Sequence, residues 1–246
     1  MQRIYLLGLL ALASLPVSIF AQTPAVENIR FENGMQTAYV RIVNTSNKDI
    51  TGFVLSVDAL YEDSHIEHSL LLTDYVPAML DRKNAGQPES MAALRAGDKK
   101  EVRLDLPARD GKWPTVTLQI KMTVIAYANA TVDVQNDHEN GLGNLIAWRK
   151  KAALASRKAA EAINEAAADS VTPDPNGVAI SKLRALVLDQ AQRKAGETHD
   201  SAEMALIINR LESMGSASKT ELRHYATEKY NDAAYLEMHA QLKRNQ

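Results

Sequence analysis

The chain contains no cysteine, and this absence excludes several kinds of chemistry at once. Disulfide bonds, thiolate nucleophiles, cysteine-based zinc sites and a lipid-modified N-terminal cysteine are all ruled out. The stability of the fold must therefore come from burial of its core alone. Exported eukaryotic domains usually carry disulfides, so an exported chain without cysteine is more typical of bacteria.

A strong excess of one charge and long apolar runs are also missing. The 246-residue chain has a formal net charge of −2, and loss of Arg3 with an N-terminal leader would make it −3. A nearly neutral chain has no field that attracts nucleic acid, so we expect no nucleic-acid partner. Beyond the N-terminus, no stretch approaches the roughly 20 apolar residues of a membrane-spanning helix. We therefore predict a mature chain without a transmembrane span.

The N-terminus has the pattern of a secretory signal peptide. Arg3 provides a positive charge, Ile4–Leu15 is a short apolar stretch, and Pro16 ends it ahead of the small residue Ala21. The apolar stretch is shorter than a membrane span. We predict a signal peptide over residues 1–21, cleavage after Ala21, and a periplasmic or extracellular protein. Retention of the segment as an N-terminal anchor is the alternative.

Residues 22–135 are predicted to form β-strands, because apolar and polar residues alternate between turn signals. The longest alternation is Thr115–Ala128, and its length predicts a central position in a sheet. Its apolar residues, expected to share one buried face, are Val116, Leu118, Ile120, Met122, Val124 and Ala126. Shorter alternating segments precede it at Val26–Glu32, Thr37–Asn44, Ile50–Tyr61 and Glu101–Leu106. Short strands with regular turns and no helix between them predict an antiparallel β-sandwich.

Two segments of this region resemble the immunoglobulin-like sandwich modules of bacterial secreted proteins. VNTSNKDITGFVLSV (Val43–Val57) is a strand, a turn and a second strand, and LRAGDKKEVRLDLP (Leu94–Pro107) is a glycine turn followed by an alternating strand. The resemblance covers residues 24–135 and implies an immunoglobulin-like fold. It departs from the antibody pattern, because there is no cysteine pair and no tryptophan on the expected third strand. It therefore implies no function and no site residue.

After a polar linker at residues 136–141, the period changes to about 3.6 residues and predicts an all-α domain over residues 142–246. Leu142–Ala168 has a mostly alanine seam, which allows a second helix to approach closely. Three further helices are predicted: Val178–Ala195, one that begins at a capping box of Asp200 and Glu203, and one from a capping box of Ser218 and Glu221 to about Arg244. Short links between four helices indicate hairpins or an antiparallel bundle. The chain as a whole is predicted to be an α+β multidomain protein.

The histidines leave a metal site open as an alternative chemistry. His65 and His68 are close in sequence, but residues three apart on a strand point to opposite faces, so the two rings could converge only in a loop. Asp137 and His138 lie in the polar linker and would have to meet them across the loops. A metal-dependent enzyme or a cation-dependent binder would use these four residues. The helical H-E-x-x-H motif, the G-x-S-x-G motif and a phosphate-binding glycine loop are all absent. We therefore predict a protein that is not an enzyme and needs no cofactor.

Three surfaces are candidates for binding another protein. Segment 65–91 interrupts the strand pattern, and long irregular segments are often functional. Trp113 lies in the loop before the longest strand, where it would anchor a partner if exposed and cover the end of the sandwich if buried. The first half of the long helix is basic and is either a binding face or an ordinary solvated face; its residues are Arg149, Lys150, Lys151, Arg157 and Lys158.

These patterns predict an exported, non-catalytic binding or scaffold protein. Its partner would be another envelope or secreted protein. The alternatives are the metal-dependent chemistry above and a protease inhibitor that presents a loop of the sandwich.

Overall fold

The chain folds into two β-sheets and five α-helices in a computed structural model that describes residues 24–32, 37–105, 116–135, 139–169, 171–193 and 199–245. The α+β class predicted from the sequence is confirmed at this level. The predicted signal peptide, Trp113, Asp137 and His138 lie outside the described residues.

Most of the β-strands precede the long α-helices along the chain, in agreement with the change of the sequence period from two to about 3.6 residues. The strands are β1 Ala25–Glu32, β2 Thr37–Val43, β3 Ile50–Tyr61, β4 Ile66–Asp74, β5 Lys99–Asp105, β6 Val116–Tyr127, β7 Thr131–Val134 and β8 Lys243–Arg244. The helices are α1 Val76–Asn84, α2 Gly141–Ala168, α3 Pro175–Arg193, α4 His199–Ser213 and α5 Lys219–His239, with a short 3₁₀ turn at Glu89–Met91.

The strands form one sheet in the order β1-β2-β5 and a second in the order β4-β3-β6-β7-β8. Neighbouring strands run antiparallel, apart from the parallel pair of β7 and β8. β6 lies at the centre of the five-stranded sheet, as its length predicts. Buried side chains from both sheets, among them Ile42, Phe53 and Ile125, form a single apolar cluster. That cluster is the core of the β part of the chain.

A β-bulge at Thr123 shifts the alternation of β6 by one residue, so that residues of one parity face opposite sides of the sheet before and after it. The register with β3 shifts there, so that no residue of β3 lies directly opposite Thr123. Before the bulge, Ile120 and Met122 pack against the core between the sheets. After it, Val124 and Ala126 lie on the other face of the sheet in a cluster with α2. The expectation that all the apolar residues of this strand share one face is therefore wrong, because α2 makes the second face apolar as well.

Segment 65–91 is more regular than predicted. It contains β4, α1 and the 3₁₀ turn, so the expectation of strands without an intervening helix is also wrong. Pro77 occupies the first turn of α1, where its missing N–H costs nothing. Val76 and Leu80 are buried in a cluster with Tyr235 and Leu236 of α5. α1 is stabilised by this tertiary contact, which a local pattern does not reveal.

The helical part is built around α2, whose alanine seam packs against the other helices. Ala159, Ile163 and Ala166 share a buried cluster with residues of α3, α4 and α5. The predicted capping box of Ser218 and Glu221 is confirmed at the start of α5. The side chains of Asp200 and Glu203 lie outside the described part of the chain.

The C-terminus corrects the predicted end of the last helix. α5 ends at His239 and does not continue to Arg244, because the chain returns to the five-stranded sheet as β8. The backbone N–H of Lys243 donates to the carbonyl of Ala130 at 2.9 Å, and that of Asn245 donates to the carbonyl of Val132 at 3.0 Å. Hydrogen bonding to the open edge of β7 replaces the last helical turn.

A buried ion pair joins the two parts of the chain. In α2, Arg149 Nη2 lies 2.8 Å from Oδ1 of Asp74, the last residue of β4, and Nε lies 3.1 Å from Oδ2. Nη1 donates to the carbonyl of His239 at 2.7 Å, and Nη2 donates to the carbonyl of Thr51 at 3.2 Å. The side chains of Arg149 and Asp74 are 0% and 2% exposed. One guanidinium group therefore connects β3, β4, α2 and the end of α5.

Gly52 on β3 provides the space that this guanidinium occupies. A Cβ atom at this position would lie 2.9 Å from Arg149 Nη2 and 3.0 Å from the carbonyl oxygen of Thr73. Both distances are below normal van der Waals contact. Any larger residue at position 52 would push the arginine away from Asp74 or distort the strand.

We predict that Asp74→Asn lowers the free energy of unfolding by about 3–5 kcal/mol, because the charge of Arg149 stays buried without its carboxylate. Arg157→Met is the matched control, since it removes an arginine of the same helix whose ion pair with Glu237 is exposed. Its cost should be about 1 kcal/mol or less. Urea denaturation followed by circular dichroism measures both values. Similar losses in the two variants would contradict a special role for the buried pair.

Candidate functional site

The basic residues of α2 do not form one exposed face. Arg149 is completely buried in its ion pair with Asp74, so its predicted place on an exposed basic surface is wrong. The reason is that the first half of α2 packs against the sheet. Arg157 pairs with Glu237 of α5, Lys150 is exposed, and the remaining two, Lys151 and Lys158, are half-buried. These five residues therefore do not form a continuous basic docking surface.

The structure separates the two histidines that the metal hypothesis joined. His65 lies in the turn before β4, whereas His68 lies on β4 directly opposite Asp58 of β3. Within the described ranges, no group of three or more histidine, aspartate or glutamate side chains is arranged to hold a metal ion. The other two proposed ligands, Asp137 and His138, are outside those ranges, so the metal hypothesis stays a prediction.

His68 instead lies between two carboxylates from different elements. Its Nδ1 contacts Asp58 on the neighbouring strand, and its Nε2 contacts Glu139, which stands just before α2. The hydrogen bond to Asp58 and then that to Glu139 raise the pKa of His68 above its ordinary value of 6.5. A protonated imidazole donates from both nitrogens, so the three side chains tie β3, β4 and the start of α2 together. We call them the His68 cluster.

The His68 cluster lies at one side of a cavity of about 710 Å³, which we call the groove. Side chains from β1, β3, β4 and β6 and from the segment before α2 line it. One wall is apolar and includes Val26, Ile120 and Met122, whereas the other is polar and includes Lys121 together with the His68 cluster. Apolar walls with a few convergent polar groups are typical of binding sites, and the volume falls within the range such sites have.

The β6 side of the groove is a strand edge without a neighbouring strand in the described residues. β7 pairs with β6 only from Val124 to Ala126, and the N–H of Gln135 adds one hydrogen bond to the carbonyl of Thr123 at 2.8 Å. Before Thr123, β6 pairs with β3 on one side, and no described strand pairs with its other side. Such an edge is a row of backbone donors and acceptors that a further extended chain can satisfy.

Sequence reasoning selected His68 but missed its partners. Asp58 could have been found, because the short turn between β3 and β4 sets a register that puts Asp58 opposite His68. Glu139 could not, since it comes from a segment 71 positions further along the chain whose approach depends on how α2 packs. The end of β7 at Val134 agrees with the predicted boundary at residue 135, whereas the groove depends on how the sheets and α2 pack, which the sequence does not show.

Comparison with protein-family models, with curated proteins and with solved structures found no match to this chain. Across the described residues, every helix is too short or too polar to cross a bilayer. The groove and the His68 cluster are the features of the described structure that bear on function.

We predict that His68→Gln destabilises the protein more at acidic pH than at alkaline pH. Because the folded-state pKa is raised above 6.5, the stability gained from the protonated ring is fully present below pH 6.5 and is lost as the pH rises through the folded-state pKa. The difference in Tm between wild type and variant should therefore be larger at about pH 5.5 than at about pH 9.

The Tm of the variant must be compared with that of the wild type at each pH, because His239 changes the stability of both proteins with pH in the opposite direction to His68. Burial, and then the charge of Arg149, lower the pKa of His239 below 6.5, so its contribution to stability falls on acidification. His224→Gln is a suitable control, since the His224 side chain is 78% exposed on α5. A difference for His68→Gln that does not change with pH would show that His68 carries no proton in the cluster.

Proposed function

We propose that this chain is an exported, non-catalytic binding or scaffold protein that acts through protein–protein contacts in the cell envelope. The groove is the observation that carries the proposal. It combines a strand edge that has no partner among the described residues, an apolar wall and a charged cluster in one concave surface. Unpaired edges of this kind are used by proteins that recognise other polypeptides.

The proposal includes an immunoglobulin-like arrangement of the two sheets. In immunoglobulin domains the first, second and fifth strands lie in one sheet and the third, sixth and seventh in the other. The orders β1-β2-β5 and β3-β6-β7 agree with this arrangement, and β4 extends the second sheet beside β3. Such sandwiches serve many binding functions, so this agreement supports the architecture and leaves the partner to be found by experiment.

Export and location are proposed from the N-terminal pattern of Arg3, Ile4–Leu15 and Ala21. A secretory leader would deliver the protein to the periplasm or the outside of the cell. The proposed partner is therefore another envelope or secreted protein.

The cation-dependent alternative has less support. Both ring nitrogens of His68 already contact carboxylates, and His65 lies elsewhere. Zinc or calcium that remains at one ion per chain after dialysis would nevertheless overturn the proposal. The protease-inhibitor alternative would present a loop of the sandwich to an envelope protease, and loss of protease activity on mixing with this protein would support it.

We predict that the groove, and not the face of α2, contacts the native partner. Because the chain has no cysteine, a single introduced cysteine carries a photo-crosslinker at a unique position. Lys121→Cys places the crosslinker in the groove, and Lys150→Cys places it on the exposed side of α2 as a matched control. Each labelled protein is added to an envelope extract of the native host, illuminated and analysed by mass spectrometry.

A discrete partner from the Lys121→Cys protein that is absent with the Lys150→Cys protein is the expected result. Recovery of uncrosslinked protein alone, or the same products from both positions, would contradict binding in the groove.

A further inference from the structure

The first half of β6 is a row of residues that, among those the structure describes, pairs with a neighbouring strand on one side only. All seven residues from Val116 to Met122 have partners on β3. Within the described part of the chain, no backbone hydrogen bond reaches them from any element other than β3. We call this row the β6 edge. At about 3.3 Å per residue it is roughly 20 Å long, which suits a typical strand.

We propose that the β6 edge accepts an extended segment of a partner polypeptide, which pairs with it as an additional strand. This inference rests on the proposed function and specifies how the partner is bound. The added strand would continue the line of β7, which stops after four residues and, in the described part of the chain, leaves the first half of β6 without a partner on that side.

The hydrogen-bonding groups of the edge determine the class of ligand. A strand edge presents N–H and C=O groups at regular spacing, and an extended peptide backbone offers the complementary groups at the same spacing. Small polar metabolites or folded helices do not match such a row. The edge therefore selects an extended polypeptide.

The walls of the groove determine which side chains fit. Successive side chains of an added strand point alternately to the two faces of the sheet. Those on the inner face would contact Val26, Ile120 and Met122, and those on the outer face would lie beside Lys121. The partner segment should accordingly alternate apolar and polar residues.

Charge adds a further preference at the end of the groove near Glu139. Two carboxylates, Asp58 and Glu139, share the single imidazole of His68, so the cluster keeps an excess of negative charge even when the ring is protonated. A lysine or arginine of the partner is favoured beside it. Lys121, one strand away from the cluster, would instead accept an acidic or neutral polar side chain.

A second copy of this chain is a poorer occupant. The β6 edge lies in a groove that also includes Pro24 at the start of β1 and Glu139 before α2. A second copy would bring a second pair of such walls together with its edge. A single extended segment has no walls of its own and can approach β6 to the roughly 4.8 Å that separates paired strands.

A phage-displayed library of random twelve-residue peptides, panned on the purified full chain, tests the proposal while the native partner is still unidentified. The enriched peptides should alternate apolar and polar residues and carry lysine or arginine at one end. A fluorescent synthetic copy of an enriched peptide then gives Kd by anisotropy.

Backbone methylation distinguishes strand pairing from other modes of peptide binding. In an added strand, every second amide points to β6 and the others point away. N-methylation of three alternate residues in one register should raise Kd by more than about tenfold, because three hydrogen bonds are lost. Methylation of the intervening residues should change Kd much less. Equal effects in both registers would overturn strand addition.

Labelled cysteine variants locate the binding site. Lys121→Cys with a bulky maleimide group should raise Kd by about tenfold or more, whereas Lys150→Cys with the same group should leave it unchanged. Melting curves of both labelled proteins confirm that each remains folded. Loss of binding in both, or in neither, would place the peptide outside the groove and contradict the proposal.

Two other results would also overturn the proposal. A dimer in sedimentation that the label at position 121 dissociates would make a second copy the occupant. Failure to enrich any peptide would mean that the edge is closed to extended segments. In both cases the crosslinking experiment with the envelope extract still tests the proposed function separately, since it detects any partner near Lys121 whatever its mode of binding.

Discussion

The pair of Arg149 and Asp74 is the interaction on which the rest of the arrangement depends. A guanidinium with no exposed surface requires several acceptors, and Arg149 finds them on β3, β4 and α5. Burying both charges is costly, so the pair adds little net stability compared with apolar residues of the same size. A shifted α2 would leave both charges unpaired, however. We interpret the pair as a device that specifies one docking position of the helical part on the sheet.

That docking position explains why the first half of β6 has no described strand on one side. To reach it, the chain must leave the sheet after the four residues of β7 and pass Glu139 into α2. The bulge at Thr123 is the boundary on β6 between the part that packs against α2 and the part that lines the groove. On the α2 side of the bulge, Val124 lies under the helix with Leu145, and on the other side Lys121 faces the groove. The groove is therefore a direct consequence of how the two parts pack.

Local patterns predict the elements whose formation depends on nearby residues. The bounds of β3 agree with its alternating pattern, and the capping box of Ser218 with Glu221 is found where its spacing places it. The errors concern features that depend on distant contacts. The run Arg149–Lys151 reads as a solvated charge cluster because nothing local indicates that Asp74 lies opposite its first member. β8 exists only because β7 offers it an edge.

The candidate site also combines a residue that the sequence indicates with features that depend on distant contacts. A histidine such as His68 can be selected by residue type, but a strand edge is defined by the absence of a neighbour, which is a property of topology. The walls of the groove come from Pro24 at one end of the described chain and from Glu139 more than a hundred residues later. Glu139 also leads directly into the helix that holds Arg149. A segment bound in the groove would thus contact the β part and the entry to the helical part at once, which couples recognition at the β6 edge to the packing of the whole chain.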